Sequence, residues 1–207
     1  MILMYHKVDI ITPSRWWVTV EQFQKQIDAL KEGFEFVYLD DYDPEQRSQV
    51  VLTFDDAYES VCNHAFPILK KSKLPFEVFV IGDLLGRWNE FDQGEIMTRF
   101  CSMEQLEAIT GGGGRIQWHT KSHPRLTLVD DAEIERQLEI NDELKNAFDA
   151  PHFRWFSYPY GLHDERVVQA VQTKLSGAVS VVDGSNHNQF ELNREVVDVD
   201  WWPDLIQ

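Results

Sequence analysis

The chain contains the run Val50-Val51-Leu52-Thr53-Phe54-Asp55-Asp56-Ala57, an apolar segment that ends in two adjacent carboxylates. A short, continuous apolar run of this kind is typical of a strand buried on both faces in a parallel sheet. Two buried carboxylates side by side repel each other, so a nearby cation is needed to offset them. The pair indicates either a metal site, with one Asp as ligand and the other free as a base, or a turn that caps the next helix.

Further short apolar runs recur along the chain, with helical patterns between them. Capping residues and apolar faces predict helices beginning near Thr19, Val61, Ser102 and Asp130, and a last helix that carries Val167, Val171 and Leu175. Strand–helix alternation predicts an α/β fold, a parallel sheet with helices outside it and active residues at the carboxyl ends of the strands. The predicted strands are Ile2–Tyr5, Phe36–Leu39, Val50–Phe54, Phe76–Ile81, Arg115–Trp118, Phe153–Ser157, Ala178–Val182 and Glu195–Val199.

The composition predicts one domain spanning residues 1–207, since 43% of the residues are hydrophobic. The 35 acidic and 19 basic residues give a net charge of −16. This charge repels phosphate backbones and anionic lipids, so we expect no nucleic-acid partner. No run approaches the ~20 apolar residues of a membrane span. The N-terminus also lacks a signal-peptide pattern, so we expect a cytoplasmic location.

A second polar cluster is Gln117-Trp118-His119-Thr120-Lys121-Ser122-His123-Pro124. Pro124 biases His123 away from helical backbone, so the two histidines are expected on a loop after a strand rather than on a helix face. They are either exposed loop residues or metal ligands. Together with Asp56 they make three protein ligands that suit zinc or a similar divalent ion and leave coordination open for catalysis.

A third cluster is the turn Tyr158-Pro159-Tyr160-Gly161, which follows the predicted strand Phe153–Ser157. A backbone N–H in such a turn can face a developing oxyanion. Taken alone, the turn is compatible with any strand–helix connection.

The three clusters together resemble the polysaccharide deacetylase family, the NodB-homology group of carbohydrate esterase family 4. The resemblance extends over nearly the whole chain. It rests on Thr53-Phe54-Asp55-Asp56, His119-Thr120-Lys121-Ser122-His123-Pro124 and Tyr158-Pro159-Tyr160-Gly161, in that order. It implies a distorted (β/α) barrel of about seven strands, and removal of acetyl groups from N-acetylated sugars or, more rarely, from O-acetyl esters.

The resemblance also implies a role for each matching residue. Asp56, His119 and His123 correspond to the ligands of one divalent metal ion, for which we expect zinc. Asp55 corresponds to the general base. The backbone N–H of Tyr160 corresponds to an oxyanion donor beside the metal.

The sequence departs from the family pattern in three places. Ala57 stands where the family usually has Gly, and its small size predicts little effect. Ser157 stands where many members have an Arg that pairs with the base, and Arg154 or Arg194 could take its place. The usual late His that supplies the general acid is missing.

His6 offers a replacement for the missing acid. Ile2-Leu3-Met4-Tyr5-His6 is an apolar strand ending in His, similar to the opening of the circularly permuted exopolysaccharide deacetylases. A closed barrel allows a strand to move from last to first in sequence and keep its place in space. We therefore predict His6 as the general acid, the alternative being a core or turn histidine.

Aromatic residues near the predicted strand ends are candidates for substrate contact, because sugars stack on aromatic faces; the alternative is core and rim packing. The candidates are Trp16, Trp17, Trp118 and Tyr158.

The predicted function is a metal-dependent hydrolase that removes acetyl groups from N-acetylated sugars, with a glycan as partner. Two alternatives stay open at this point: a metal-binding carbohydrate-binding pseudoenzyme, and a metal-dependent esterase or amidase on a small non-sugar substrate. The sequence predicts neither the particular sugar nor the oligomeric state.

Overall fold

The computed structural model of the protein describes residues 1–182 and 187–203. The strands in these residues are β1 (Ile2–Tyr5), β2 (Lys7–Asp9), β3 (Trp17–Thr19), β4 (Glu35–Phe36), β5 (Gln49–Phe54), β6 (Phe76–Val80), β7 (Gly114–Trp118), β8 (Trp155–Ser157), β9 (Gly177–Ser180), β10 (Leu192–Asn193) and β11 (Glu195–Val196). The helices are α1 (Val20–Gly33), α2 (Phe66–Ser72), α3 (Met103–Thr110), α4 (Asp131–Leu138), α5 (Asp142–Ala147) and α6 (Glu165–Gln172).

Eight strands form a parallel sheet in the order β10-β9-β8-β7-β6-β5-β1-β11, and β4 pairs with the start of β5. The two ends of this path, β10 and β11, are separated along the chain by Arg194 alone. The sheet is therefore nearly closed into a barrel. The predicted α/β class and barrel architecture are confirmed, with one more strand, β10, than the sequence pattern predicts.

Side chains alternate between the two faces of the sheet, as the strand pleat requires. In β5, Val50, Leu52 and Phe54 belong to the large apolar cluster that includes the helix residues, whereas Val51 belongs to a second cluster on the other face. Asp55 follows Phe54 and continues the second set. The period of two therefore directs this carboxylate into the barrel rather than toward the helices.

The long helix predicted after Asp130 is two helices, α4 and α5. The apolar residues that predicted it, Leu138 and Leu144, are both buried. The predicted apolar face is therefore present, but it is divided between two shorter helices. The chain turns at residues 139–141, and Asn141 donates from Nδ2 to Asp83 Oδ1 at 3.0 Å.

Two short strands escaped the sequence pattern. β2 and β3 pair in parallel as a separate small sheet, directly after His6. The predicted strand Phe36–Leu39 is shorter than expected, since only Glu35–Phe36 pairs and a single helical turn, Leu39–Asp41, follows.

In the described ranges, no helix combines the length and the apolar character that crossing a bilayer requires.

Candidate active site

The predicted catalytic residues come together at the carboxyl ends of the barrel strands. His6 follows β1, Asp55 and Asp56 follow β5, and His119 follows β7. Parallel strands place all these positions at one end of the barrel. A cavity opens there, and its lining includes His6, Asp55, Asp56, His119, His123 and Arg194.

Asp56, His119 and His123 form a compact cluster with the chemistry of a metal site. One ligand atom from each lies within 4.8 Å of the others. Asp56 Oδ1 is 3.4 Å from His119 Nε2 and 3.6 Å from His123 Nε2. This oxygen is buried and has no hydrogen-bond partner in the part of the chain that the structure describes. An unpaired buried carboxylate oxygen facing two imidazole nitrogens fits a divalent cation.

Two of the three groups in this cluster have protonation states that suit a cation, whereas for His119 burial lowers the pKa but the contact with Asp56 outweighs it and holds the pKa above its ordinary value. Burial lowers the pKa of His123 to about 4, so its imidazole is neutral near pH 7. Burial raises the pKa of Asp56, but the three neighbouring histidines outweigh it and hold the pKa below its ordinary value. A neutral imidazole and an ionised carboxylate are the forms that bind a metal.

The backbone around the site adopts a conformation that non-glycine residues rarely take. Asp56, Ala57, Thr120, His123 and Tyr160 all have φ between 57° and 70°. Such backbone is tolerated where the surrounding structure imposes it, and it clusters at functional sites. Ala57 therefore differs from the family Gly in backbone strain as well as in size, at a cost of about 1 kcal/mol. The small effect expected from the sequence stays a prediction.

The loop that carries the two histidines is held from α4. Gln137 is fully buried and accepts at Oε1 from the backbone N–H groups of Lys121 and Ser122, at 2.9 and 3.0 Å. Thr120 Oγ1 accepts from His123 N at 2.9 Å. The loop is irregular, as Pro124 predicts. In the sequence, Gln137 is a polar residue on the apolar face that Ile134 and Leu138 define. This position was the signal for a buried hydrogen-bonding role.

Asp55 is paired with Arg194, deep in the barrel. Arg194 donates from Nη1 to Asp55 Oδ1 at 2.7 Å and from Nη2 to Asp55 Oδ2 at 2.6 Å. Ser157 Oγ donates to Asp55 Oδ2 at 3.0 Å and accepts from Arg194 Nη2 at 2.8 Å. Burial raises the pKa of Asp55, but Arg194 outweighs it and holds that pKa below its ordinary value. Asp55 is therefore ionised at neutral pH.

Of the two arginines predicted to replace the family Arg, the structure brings only Arg194 to the base. Arg154 lies 3.3 Å from Asp40 Oδ2, and its side chain is 48% exposed. Ser157 is small enough to leave room for the guanidinium that enters from the β10–β11 connection. The ion pair is thus kept, while its arginine comes from another strand.

His6 lies beside the metal-ligand cluster. Its Nε2 is 4.0 Å from Asp56 Oδ2, and its ring packs against Trp16 with centroids 4.8 Å apart. Burial lowers the pKa of His6, which the carboxylates of Asp56 and Asp55 partly offset. An imidazole whose pKa lies below its ordinary value is mostly neutral near pH 7, so a general-acid role requires that His6 take up a proton before the leaving group departs.

The sequence profile of a family described as polysaccharide deacetylase matches residues 42–175, more than half of the chain. The chain belongs to the polysaccharide deacetylase family. The match contains the Asp-Asp pair, both histidines and the Tyr158–Gly161 turn. His6 and Arg194 lie outside it, at opposite ends of the chain.

Relatives and solved structures agree with this membership of the deacetylase family. The chain is 24% identical over 209 residues to poly-beta-1,6-N-acetyl-D-glucosamine N-deacetylase of Staphylococcus aureus, covering 92% of this chain and 71% of that protein. It is 23% identical over 180 residues to YxkH of Bacillus subtilis, covering 83% of this chain but only 60% of that protein.

Two solved structures show the same fold. One is the Streptococcus pyogenes deacetylase PplD in complex with acetate, with a TM-score of 0.81 and 24% identity over 98% of this chain and 94% of that one. The other is IcaB from Ammonifex degensii, with a TM-score of 0.77 and 24% identity over 96% and 92% of the two chains. The likeness extends over both ends of the chain, beyond the residues that the family profile matches.

The third deacetylase motif forms a turn over the cavity. Tyr160 has φ 61° and ψ 8°, and its ring packs against His123 with centroids 4.7 Å apart. The next carbonyl, Gly161 O, accepts from Ser180 Oγ at 2.9 Å and lies 3.2 Å from His163 Nδ1. The turn is therefore held from β9 and from the following loop, and an oxyanion role for the Tyr160 N–H stays a prediction.

The structure separates the four aromatic candidates for substrate contact. Trp16 and Tyr158 line the cavity. Trp118 and Trp17 do not line this cavity, and both side chains are almost fully buried, as is that of Tyr158. Trp118 donates from Nε1 to Gln137 O at 3.0 Å, and Trp17 donates from Nε1 to Glu95 Oε2 at 2.7 Å. The two tryptophans pack the protein instead of presenting a face to a sugar.

Proposed function

We propose that the protein is a metal-dependent hydrolase that removes acetyl groups from N-acetylated glycans. The observation that carries this proposal is the cluster of Asp56, His119 and His123, with the Arg194-paired Asp55 beside it in one cavity. Membership of the deacetylase family supports acetyl as the acyl group that is transferred to water, with the sugar amine as the leaving group. The complete set of candidate groups favours an enzyme over a pseudoenzyme.

Asp56, His119 and His123 would hold the metal. A divalent cation at these ligands, which we propose to be zinc, lowers the pKa of water and polarises an acyl carbonyl. The buried Asp56 Oδ1 between the two imidazoles supports this assignment. His119 Nδ1 lies 2.7 Å from Ser157 O, a contact that orients the ring with Nε2 toward the cluster.

Asp55 is the proposed base, and its hydrogen bonds support Oδ1 as the oxygen that takes the proton. Asp55 Oδ2 accepts two hydrogen bonds, from Arg194 and Ser157, whereas Oδ1 accepts one, from Arg194. A carboxylate oxygen has two lone pairs, so Oδ1 keeps one free for the proton of the attacking water. Arg194 keeps the carboxylate ionised until that transfer.

His6 Nε2 is the proposed proton donor to the leaving amine, and the Tyr160 N–H is the proposed donor to the oxyanion. An amide nitrogen cannot leave as an unprotonated anion at neutral pH, so an acid within reach of the cluster is required. His6 is the remaining histidine in this cavity that the metal cluster does not use. Trp16 fixes the orientation of its ring.

The first polymer to test is β-1,6-linked poly-N-acetylglucosamine, because the Staphylococcus aureus relative is an N-deacetylase of that polymer. Zinc-loaded and metal-stripped protein are incubated with β-1,6- and β-1,4-linked N-acetylglucosamine oligomers, an O-acetyl ester and a small N-acetyl amide, and released acetate is measured. The proposal predicts acetate from an oligomer only when the metal is bound. Oligomer binding without release would indicate a pseudoenzyme, and preference for the small compounds would indicate a non-sugar substrate.

His119→Ala tests the ligand set directly, with His64→Ala as its matched control. His64 is a partly exposed histidine 3.7 Å from Asp9. Metal content, measured by mass spectrometry after zinc loading, should fall sharply in His119→Ala and stay at the wild-type level in His64→Ala. Equal zinc content in the two variants would remove the proposed metal site.

A further inference from the structure

One wall of the cavity is a segment with little regular structure of its own. We define the wall segment as residues 89–95, in the long connection between β6 and α3. Two of its residues, Phe91 and Asp92, line the cavity. The Phe91 ring stacks on the His123 ring, with centroids 4.6 Å apart and planes inclined by 29°. The position of this segment therefore sets the shape of the space beside a proposed metal ligand.

The wall segment is tied to the barrel through Lys7, the residue after His6. Lys7 is only 1% exposed, and its Nζ donates to Asp92 Oδ2 at 2.9 Å and to Glu95 Oε2 at 3.1 Å. The same ammonium lies 4.2 Å from the centroid of the Tyr58 ring. One buried cation thus joins two carboxylates that stand three residues apart in the wall segment.

The two carboxylates are held by further donors from the barrel side. Tyr58 donates from its hydroxyl to Asp92 Oδ2 at 2.7 Å, and Trp17 donates from Nε1 to Glu95 Oε2 at 2.7 Å. Asn89, which is buried, closes the segment on itself by donating to Ile96 O and accepting from Thr98 N. The buried Trp17 thereby serves the wall rather than the substrate directly.

A buried ion pair adds little net stability compared with apolar packing of the same volume, and its best-attested use is to specify one arrangement. In the wall segment, the ion pairs of Lys7 with Asp92 and Glu95 select the arrangement in which the Phe91 ring packs against the His123 ring. Without the cation, Asp92 and Glu95 would repel each other at a partly buried position, and water would compete for both. The segment would then populate positions that leave the cavity open on this side.

We infer that Lys7 is a positioning residue that locks residues 89–95 into a preformed wall of the acetyl-sugar cavity. The inference rests on the proposed function for its substrate. His6 and Lys7 are adjacent residues, after the end of β1 and at the start of β2. One short stretch of chain therefore supplies both the proposed acid and the cation that holds the wall segment. With the wall already in place, substrate binding does not have to order the segment.

The test compares Lys7→Met with Lys25→Met, a matched control on the outer surface, where Lys25 pairs with Glu21 and is 58% exposed. Hydrogen exchange of the wall-segment amides should be roughly tenfold faster in Lys7→Met, because local opening no longer breaks the ion pairs. The β5 and β7 amides, and all amides of Lys25→Met, should keep wild-type rates. Lys7→Arg, which keeps the cation, should restore part of the protection.

On zinc-loaded enzyme with an N-acetylglucosamine oligomer, Lys7→Met should raise KM roughly tenfold and change kcat less than about threefold. A decrease in kcat without a change in KM would overturn the inference, because it would mean that Lys7 acts through His6 on the chemical step. Unchanged exchange of the wall segment would also overturn it. Exchange is measured whether or not acetate is released, so an inactive wild-type protein would refute the proposed function without deciding this inference.

If Lys7→Met lacks a cooperative thermal transition, Glu95→Gln carries the test. The amide oxygen of Gln still accepts from Trp17 and Lys7, while one negative charge is removed. The exchange of residues 89–95 should then rise by a smaller factor, about threefold, with the global transition retained. If the amides of residues 89–95 exchanged at the wild-type rate in Glu95→Gln, the charge of Glu95 would not hold the segment, and the inference would be overturned.

Discussion

Arg194→Met should shift the pH dependence of catalysis, because it removes the charge that keeps Asp55 ionised. In the wild type, the buried guanidinium makes two hydrogen bonds to Asp55, one to Ser157 Oγ and one to Thr53 Oγ1 at 3.0 Å. In the variant, Asp55 stays buried, and of these partners only Ser157 still donates a hydrogen bond to it. Methionine fills much of the same volume, so the chief change is electrostatic.

The size of the effect follows from the burial of both partners. Removing one partner of a buried ion pair costs about 3–5 kcal/mol. Part of this cost is relieved if Asp55 takes up a proton, and each pKa unit corresponds to about 1.4 kcal/mol. The acid limb of kcat/KM should therefore move upward by about 1–3 pH units in Arg194→Met, with activity partly recovered at higher pH.

The stability effect has a defined sign. The lowered pKa of Asp55 stabilises the fold above the ordinary pKa of an aspartate, and this contribution is lost as pH falls through the folded-state value. The difference in unfolding free energy between wild type and Arg194→Met should thus be largest near neutral pH and shrink at acidic pH.

The assay is acetate release from an N-acetylglucosamine oligomer across pH 5–9, together with urea unfolding. Arg154→Met is the control, because Arg154 pairs with Asp40 away from the base. An acid limb in Arg194→Met that coincides with those of the wild type and Arg154→Met would refute the reasoning. It would mean that Asp55 does not titrate as the base.

Four further changes test other parts of the structure. His6→Ala should lower kcat on an N-acetyl substrate by roughly 10²–10³ and lower it less on an activated aryl ester, so equal losses would contradict an acid role. Asp55→Asn should keep the zinc content and lower kcat by roughly 10²–10⁴, whereas loss of zinc would make Asp55 a ligand. Ala57→Gly should raise the unfolding free energy in urea by up to about 1 kcal/mol, because φ is 57° at this residue; no gain would contradict strain there. Burial raises the pKa of Glu77 to about 7, so stability should fall by about 3 kcal/mol as pH rises from about 4.5 to 7, and Glu77→Gln should abolish that part of the slope in urea titrations.

The fold and the centre of the site were predictable because their signals are local. The apolar run before Asp55 marks a strand and its carboxyl end, and Pro124 marks the loop after His119. Each of these needs only a few neighbouring residues. Parallel strands then bring their carboxyl ends together without any further information. Five residues that are dispersed in the sequence could therefore be assigned to one end of the barrel from the sequence alone.

The supports of the site were harder to predict because their partners lie far apart in sequence. Arg194 meets Asp55 across 139 residues, and Lys7 meets Asp92 across 85. No periodicity or capping pattern relates such positions. The position of Trp118 was hard to predict for a related reason. Being near a strand end does not tell which face a side chain takes, and the pleat places this ring in the outer core with Ile116.

The closure of the barrel explains why the acid and the partner of the base come from opposite ends of the chain. β1 pairs with β5 on one side and with β11 on the other. His6 at the end of β1 therefore stands next to the Asp-Asp pair, and Arg194 reaches Asp55 from the connection between β10 and β11. A barrel constrains where a strand lies in space but leaves its place in the sequence free. Residues that are remote in sequence, such as His6 and Arg194, can then meet at one pair of carboxylates.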